Sequence, residues 1–442
     1  MRIQARHILL LTLILPALPA QVIKHYHVDA NIGSDTNPGT RSSPFLSITK
    51  AVSVAVKDAV IHVRPGTYSQ AATGESFTIG IGTGAATHSN IKILGSDPAA
   101  CILEFGSAAA TSAYYFQIWN GATKIEIANL TMQNGSATPW YTAAIGLNCD
   151  GLHLHHCIIR NCTSGIIAWG NSRNTNIHDN ILDGCGVAIR LRGGRRAVNN
   201  LLHHNLVLGN TGYHAISMSG NDASQVVVNN IIVGSSGIAF DLGTPPGGVV
   251  FESNCAHQNI TDYNSTTTIS RSNLTTDPQF LDPSKGDYRL KLTSPCVETG
   301  YRAQALVVND FYGNARVSDF DDDFRAVPDI GIHEIEGLSL TVANWGQGQT
   351  ATFSLTSPST LLLSHLYLSL RSAPVAINPF GLIGIDLSPG ISYLIGLPAV
   401  PGSVKLTIPT APALNDLPIW FQAFGITSTL TFKPSGRLDQ IL

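Results

Sequence analysis

Charge is what this chain has least of. Asp, Glu, Lys and Arg make up 12% of its 442 residues, against roughly a quarter in an ordinary soluble protein, and the formal net charge is -3. No broad field therefore draws the chain to nucleic acid or to an anionic membrane, and an ionic partner has to be met by a local patch. Disorder is excluded too, because it pairs low hydrophobicity with high net charge, whereas 44% of these residues are hydrophobic. No CxxC pair occurs among the seven cysteines, which removes the usual zinc-finger patterns. Beyond residue 20 no run is fit to span a bilayer: the segment from Phe380 to Val400 is broken by Gly, Pro and Asp386.

What is present begins with an export signal. Met1-Arg2 and Arg6-His7 form a basic start, Ile8 to Leu15 an apolar run, and Pro16-Ala17-Leu18-Pro19-Ala20 a small-residue exit. Residues 1–20 are expected to be removed after Ala20, leaving a secreted or cell-surface protein. Export permits disulfides, and an odd cysteine count leaves at least one thiol over.

The middle of the chain repeats itself. From Gly151 the segments run GLHLHHCIIRN, NTNIHDNILDG, NNLLHHNLVLGN, QVVVNNIIVGS and GVVFESNCAHQN. Cys157, Asn180, Asn205, Asn230 and Asn254 occupy one position in them, 23 to 25 residues apart by subtraction, and KIEIANLTMQN around Asn129 is a slightly shifted earlier copy. Half a period on, a second strand recurs as AAIGLN, GIIAWG, VAIRLR, HAISMS and IAFDLG. Its inward column reads Ile145, Ile167, Ile189, Ile216 and Phe240, and alternation adds Leu147, Trp169, Leu191, Met218 and Leu242.

Short strands at this period with no helix between them predict an all-β fold, a right-handed parallel β-helix. Coils stack about 4.8 Å apart, so one residue type at one position becomes a ladder, and each Asn can bond the next. The open N-terminal end is expected to be covered by a helix near residues 47–56, with Ser47 as its N-cap and Ile48, Val52, Ala55 and Val56 apolar. Ala59 to Tyr68 then reads as the first strand and turn. From about Leu338 to Leu442, TATFSLT, LLLSHLYLSL, SVKLTIPT, PIWFQAFGI and STLTFKP alternate with Pro and Gly. They predict a small C-terminal antiparallel β-sandwich.

Two stretches carry a family resemblance. YHVDANIGSDTNPGTRSSPFLSITKAV with AVIHVRPGTY resembles the entry segment of exported pectate-lyase-like β-helix proteins. TDPQFLDPSKGDYRLKLTSPCVETG with NDFYGNAR and PDIGIHE is similar to the closing segment of the choice-of-anchor Q proteins. The likeness spans roughly residues 26–336 and implies an exported parallel β-helix of a kind often associated with polysaccharides. It gives a β-helix with its cap over residues 21–262, a closing segment over 263–337, and the sandwich over 338–442.

Chemistry is sought on the outward side of the second strand. Arg190 and Arg192 alternate with inward Ile189 and Leu191, Ser217 and Ser219 follow one coil on, then Asp241, with Arg173, Arg195 and Arg196 in the same coil or its turns. Guanidinium binds carboxylate or sulfate bidentately, so an acidic polysaccharide is the expected partner. β-Elimination on a uronic acid would use Arg190 or Arg192 to neutralise the carboxylate and His214 or an arginine as base. Arg173, Ser217 and Asp241 would help to bind substrate. A hydrolase is disfavoured because the NTD, DD, GHG and RIK set of polygalacturonases is missing; the WIDH-type motif is missing too, which counts against the well-known pectate lyases but leaves a divergent lyase open.

Three further groups of residues call for a reading. His155, His178 and His203 fall in successive coils, followed by His156, Asp179 and His204; a parallel stack of this kind reads as a surface ladder rather than a metal centre. The acidic run Asp319, Asp321, Asp322 and Asp323 reads as a solvated turn, with calcium on Asp319, Asp321 and Asp323 as the alternative and no other cofactor required. Cys162 and Cys185 stack as either a disulfide or a reduced ladder, and Cys255 with Cys296 is the favoured bridge. The sequence thus predicts a monomeric, secreted β-helix that binds an acidic polysaccharide and has the means to cleave it. The alternative is a non-catalytic cell-surface or adhesion protein that uses the β-helix as a rigid spacer.

Overall fold

The computed structural model describes residues 22–84, 87–105, 114–135, 143–170, 172–192, 199–219, 225–243, 249–265, 272–302, 309–316 and 327–335, and beyond 338 the backbone of the strands alone. The chain winds as a right-handed parallel β-helix. One coil shows the order: Asp150–His155 lies in sheet A, Ile158–Arg160 in sheet B, and Ser164–Ala168 opens the next turn in sheet C. Among the described residues sheet A has nine strands, from Lys24–Val28 to Val250–Glu252, and sheets B and C have eight each. Within these three sheets every pairing is parallel and joins neighbouring coils, as with His155, His178 and His203 side by side.

The N-terminal cover is the expected helix, Ile48–Val54, with the Ser47 side chain accepting from the Lys50 N–H. Ile48, Ala51 and Val52 turn inward, but Val56 lies past the helix and is exposed. A strand precedes the one read as first: Lys24–Val28 pairs with Lys57–Val63.

The bend between sheets A and B holds the asparagine ladder. Asn180, Asn205, Asn230 and Asn254 each donate from Nδ2 to the next Oδ1, ending on Asn273, at 3.0 to 3.1 Å. Each of the four also donates to backbone carbonyls of its own coil and of the coil before, so the buried amides are satisfied. The left-handed backbone falls on the residue just before: His156, Asp179, His204, Asn229 and Ser253 all have φ of 49° to 59°. Asn129 takes that left-handed place in its own coil, which explains why its copy looked shifted.

One register differs from expectation. Ile166, not Ile167, pairs with Ile145 and Ile189, so Ala168 rather than Trp169 follows Leu147 inward. A slip of one residue in a period of two exchanges the faces of a strand. Two consecutive residues turn inward at the start of these strands, as in Ala188-Ile189, Ala215-Ile216 and Ala239-Phe240. The residue before them, His214 for instance, is thereby placed outside.

The closing segment runs along the flank of the coils. Ile330, Ile332 and Ile335, with Phe280, Leu290 and Cys296, pack on the outward side chains Ile181, Leu206, Ile231 and Cys255. Gly331 donates its N–H to the Asn229 carbonyl, and a Cβ at Gly331 would meet Ile231 Cδ1 at 2.5 Å. Beyond 338 the expected antiparallel strands occur, as Ser339–Ala343, Thr350–Thr356 and Gly402–Thr407, and as Leu361–Ser369 paired with Ser392–Gly396 and Pro418–Thr427.

Candidate functional site

The outer face of sheet C is a solvent-side surface that changes character along the stack. At its upstream end Tyr114, Ala143 and Ile167 cluster with Trp169, outside the core. The cluster forms because Gly146 has no side chain: a Cβ there would meet the Tyr114 ring at 2.6 Å. Trp169 and nearby Trp119 are partly exposed, so this end offers flat apolar rings to solvent.

One coil further the same outward column becomes polar. Ile167 pairs with Arg190, Arg190 with Ser217, Ser217 with Asp241, and Asp241 with Asn264. Arg190 is partly exposed, whereas Ser217 and Asp241 are 0% and 4% exposed. Asp241 Oδ2 lies 3.0 Å from His214 Nδ1 and accepts from Ser217 Oγ at 3.5 Å. Its Oδ1 accepts from Asn264 Nδ2 at 3.2 Å. The carboxylate thus stands behind the imidazole and fixes its Nδ1 side, and the ring of Tyr213, itself 72% exposed, packs edge-on against His214. Ser217 and Asp241 are thus buried beneath this face, with Asp241 in contact with both Ser217 and His214.

Of the other candidates for this face, Arg173 does not join them. Arg173 sits at the turn into sheet A, bridged to Asp150 through backbone, and not in the Arg190 column. Arg192 continues the Arg190 strand, but its side chain lies outside the described residues, as do Arg195, Arg196, Asp319, Asp321 and Asp323. Cys255 and Cys296 are buried free thiols in contact; that contact, and then burial, push the Cys296 thiol up. Cys162 and Cys185 are likewise reduced neighbours.

The histidine stack is real, but it is not a surface ladder. His155, His178 and His203 stack at ring distances of 5.0 and 4.7 Å, and His178, His203, His204 and Asp179 are buried beneath the closing segment. Arg316 reaches in from that segment to bond Asp179 and the Gly331 carbonyl, with Glu334 at 3.6 Å. Burial pushes the Asp179 carboxyl up and the guanidinium opposes it. Asp310 and Asp329, near the acidic run in sequence, are structural: Asp310 accepts from the N–H groups of Tyr312, Asn314 and Glu334, and Asp329 from those of Glu298 and Ile335.

Residues 31–279 match the protein family described as "Protein of unknown function (DUF1565)", which is more than half of the chain. The chain belongs to this family. No curated protein matches this DUF1565 chain. Among solved structures it is similar to a lacto-N-biosidase from Eubacterium ramulus, at 11% identity and a TM-score of 0.36, over 53% of this chain and 56% of that one. It is also similar to a pectate lyase (13%, TM-score 0.32, 71% of this chain and 97% of that) and a rhamnogalacturonan lyase (12%, TM-score 0.30, 58% and 87%). The DUF1565 chain thus spans little more than half the length of the biosidase. No helix among its described residues is long and apolar enough to cross a membrane.

Sequence reasoning missed Trp169 and Tyr114 as surface residues of sheet C, along with Asn264, Arg316, Glu126 and His153. For Trp169 a signal existed: Ala168 is the better match to Leu147 and Leu191 once the small residue before each inward pair is aligned. For Arg316 none existed, because a partner more than a hundred residues away has no local pattern.

Proposed function

We propose that the outer face of sheet C binds an acidic polysaccharide, with sugar rings on Trp169 and Trp119 and a uronate carboxylate on Arg190. The observation that carries this reading is the outer face of sheet C, where an aromatic cluster gives way one coil on to Arg190 and the next coil adds His214 against the Asp241 carboxylate. Flat rings suit the apolar faces of sugars, and guanidinium suits their carboxylates. Arg192, next but one along the strand, extends the cationic edge in this proposal.

The His214–Asp241 contact favours a lyase over a bare binding face. With Nδ1 held by Asp241, His214 has Nε2 as its base. In the elimination it would take the proton from the carbon beside the uronate carboxylate. The C–H electrons form the new double bond, and the bond to the leaving glycosidic oxygen breaks, that oxygen taking a proton from solvent water. Arg190 stabilises the enolate-like charge that develops on the carboxylate. Ser217 and Asp241 are positioning residues, and Arg173 lies apart from them.

Export through residues 1–20, a cell-surface or secreted location, monomeric behaviour, and an attachment role for the segment beyond 338 belong to the same proposal. So does the likeness of the closing segment to choice-of-anchor Q proteins. Incubation with pectate, alginate and chondroitin, following the absorbance of unsaturated products, tests the lyase reading. Product with the wild type and none with His214→Ala supports it. Binding without product on any of the three returns the protein to the rigid-scaffold alternative.

A further inference from the structure

A second constellation lies on sheet A, away from the proposed polysaccharide face. His153 and His155 are two apart on Asp150–His155, so both side chains leave the same face, and Glu126 pairs with His153 from the neighbouring strand. One ligand atom from each lies within 4.8 Å of the other two. Parallel stacking along a single column does not converge on an ion, but two alternate residues of one strand with a third across the ladder do.

The hydrogen-bond chains behind these rings fix their protons. His178 Nδ1 lies 2.8 Å from Asp179 Oδ2, and a carboxylate oxygen only accepts, so Nδ1 carries the proton. A neutral imidazole carries one proton, so the other nitrogen of His178 is bare. Its bare Nε2 then accepts from His153 Nε2 at 2.7 Å, which leaves His153 an unprotonated Nδ1. Likewise His156 Nε2 donates to the Asp310 carbonyl at 2.9 Å, so its Nδ1 accepts from His155 Nδ1 at 2.9 Å. The bare nitrogen of His155 is therefore Nε2.

That nitrogen is buried, lacks a hydrogen-bond partner, and faces Glu126 Oε1 at 3.5 Å. A lone pair set against a carboxylate oxygen is repulsive unless a cation lies between them. Lys92 does not fill the gap, because its Nζ holds the other oxygen, Oε2, at 2.6 Å. The 3.5 Å separation is already close to the edge of a zinc tetrahedron, roughly 3.4 Å for bonds of about 2.1 Å. Two imidazoles and a carboxylate suit a divalent transition metal rather than calcium.

We propose that Glu126, His153 and His155 bind one divalent transition-metal ion of the zinc type, with His156 and His178 orienting the two imidazoles from behind. Titration of the full chain with zinc chloride by calorimetry, and with cobalt(II) by visible absorption, tests this at neutral pH without polysaccharide. One equivalent should bind tightly, and His153→Ala or Glu126→Gln should weaken it by about 100-fold or more. His25 and His62, 3.0 Å apart at the exposed N-terminal end, are a second pair of imidazoles open to zinc, so His25→Ala/His62→Ala is the control and should leave the tight site unchanged. Lys92→Met, at a half-exposed side chain, should tighten binding by freeing Glu126 of its competitor. Absence of a tight equivalent, meaning that a proton alone fills the gap, overturns the proposal. So does zinc affinity indifferent to Glu126→Gln, or lost with the control pair. The readout is metal binding alone, so its failure leaves the reading of sheet C untouched.

Discussion

Arg316 and Asp179, 137 positions apart, form an ion pair in which neither side chain is more than 1% exposed. It fastens the closing segment to the middle coils, and it does so where His156, His203 and His204 crowd the same space. Replacing Arg316 by Met leaves a buried carboxylate without its cation, which costs about 3–5 kcal/mol. Urea unfolding should show that loss, and the double variant Arg316→Met/Asp179→Leu should recover a large part of it. Equal instability of the single and double variants would contradict the assignment of the pair.

The asparagine ladder makes a separate prediction. Asn205 accepts from Asn180, donates to Asn230, and bonds the carbonyls of Ile177 and His203. Asn205→Ala strands several buried polar groups at once and should cost about 2–4 kcal/mol. A thermal melt unchanged by this substitution would show that the coils do not depend on the ladder.

Acid should loosen the closing segment. Burial holds His178, His203 and His204 well below their ordinary value of 6.5, and His153 and His333 at about 4. Each is therefore neutral in the fold and takes a proton sooner when unfolded. Their contribution is fully present above about pH 6.5 and is lost as pH falls below it, at up to about 1.4 kcal/mol per pH unit for each fully buried ring. Stability measured from pH 7 to pH 4.5 should fall steeply, and His204→Asn should flatten the fall. A flat profile for the wild type would contradict it.

On sheet C, Trp169→Ala should weaken binding of acidic oligosaccharide by roughly tenfold without affecting stability comparably, because Trp169 stands outside the core. Asp241→Asn should lower turnover more than affinity, since Asp241 is buried behind His214. Steady-state kinetics separate these two effects.

Much of this fold was legible because a solenoid writes its geometry into the sequence at a fixed period. Asn180, Asn205, Asn230 and Asn254 announced their stacking, and Ser47 announced its helix. The one-residue slip at Ile166 and Ile167 was only faintly written, since both are isoleucine and both are buried, and only the neighbouring Gly165 and Ala168 tell them apart. Arg190, Ser217, Asp241 and Asn264 share one outward column, as alternation requires. The burial of the histidine stack was hidden, because it depends on a segment more than a hundred residues downstream folding back over it. Convergence at Glu126 was hidden for a related reason: His153 and His155 show themselves on one strand, but their carboxylate comes from the coil before.

The most direct test compares the affinity of the wild type and Arg190→Ala for polygalacturonate and for its methyl-esterified, uncharged form. If sheet C reads uronates through Arg190, the wild type should prefer the charged polymer, and the substitution should lower that affinity by roughly 10- to 100-fold while leaving the neutral polymer alone. Equal affinity for both polymers, or a preference that survives Arg190→Ala, would contradict it.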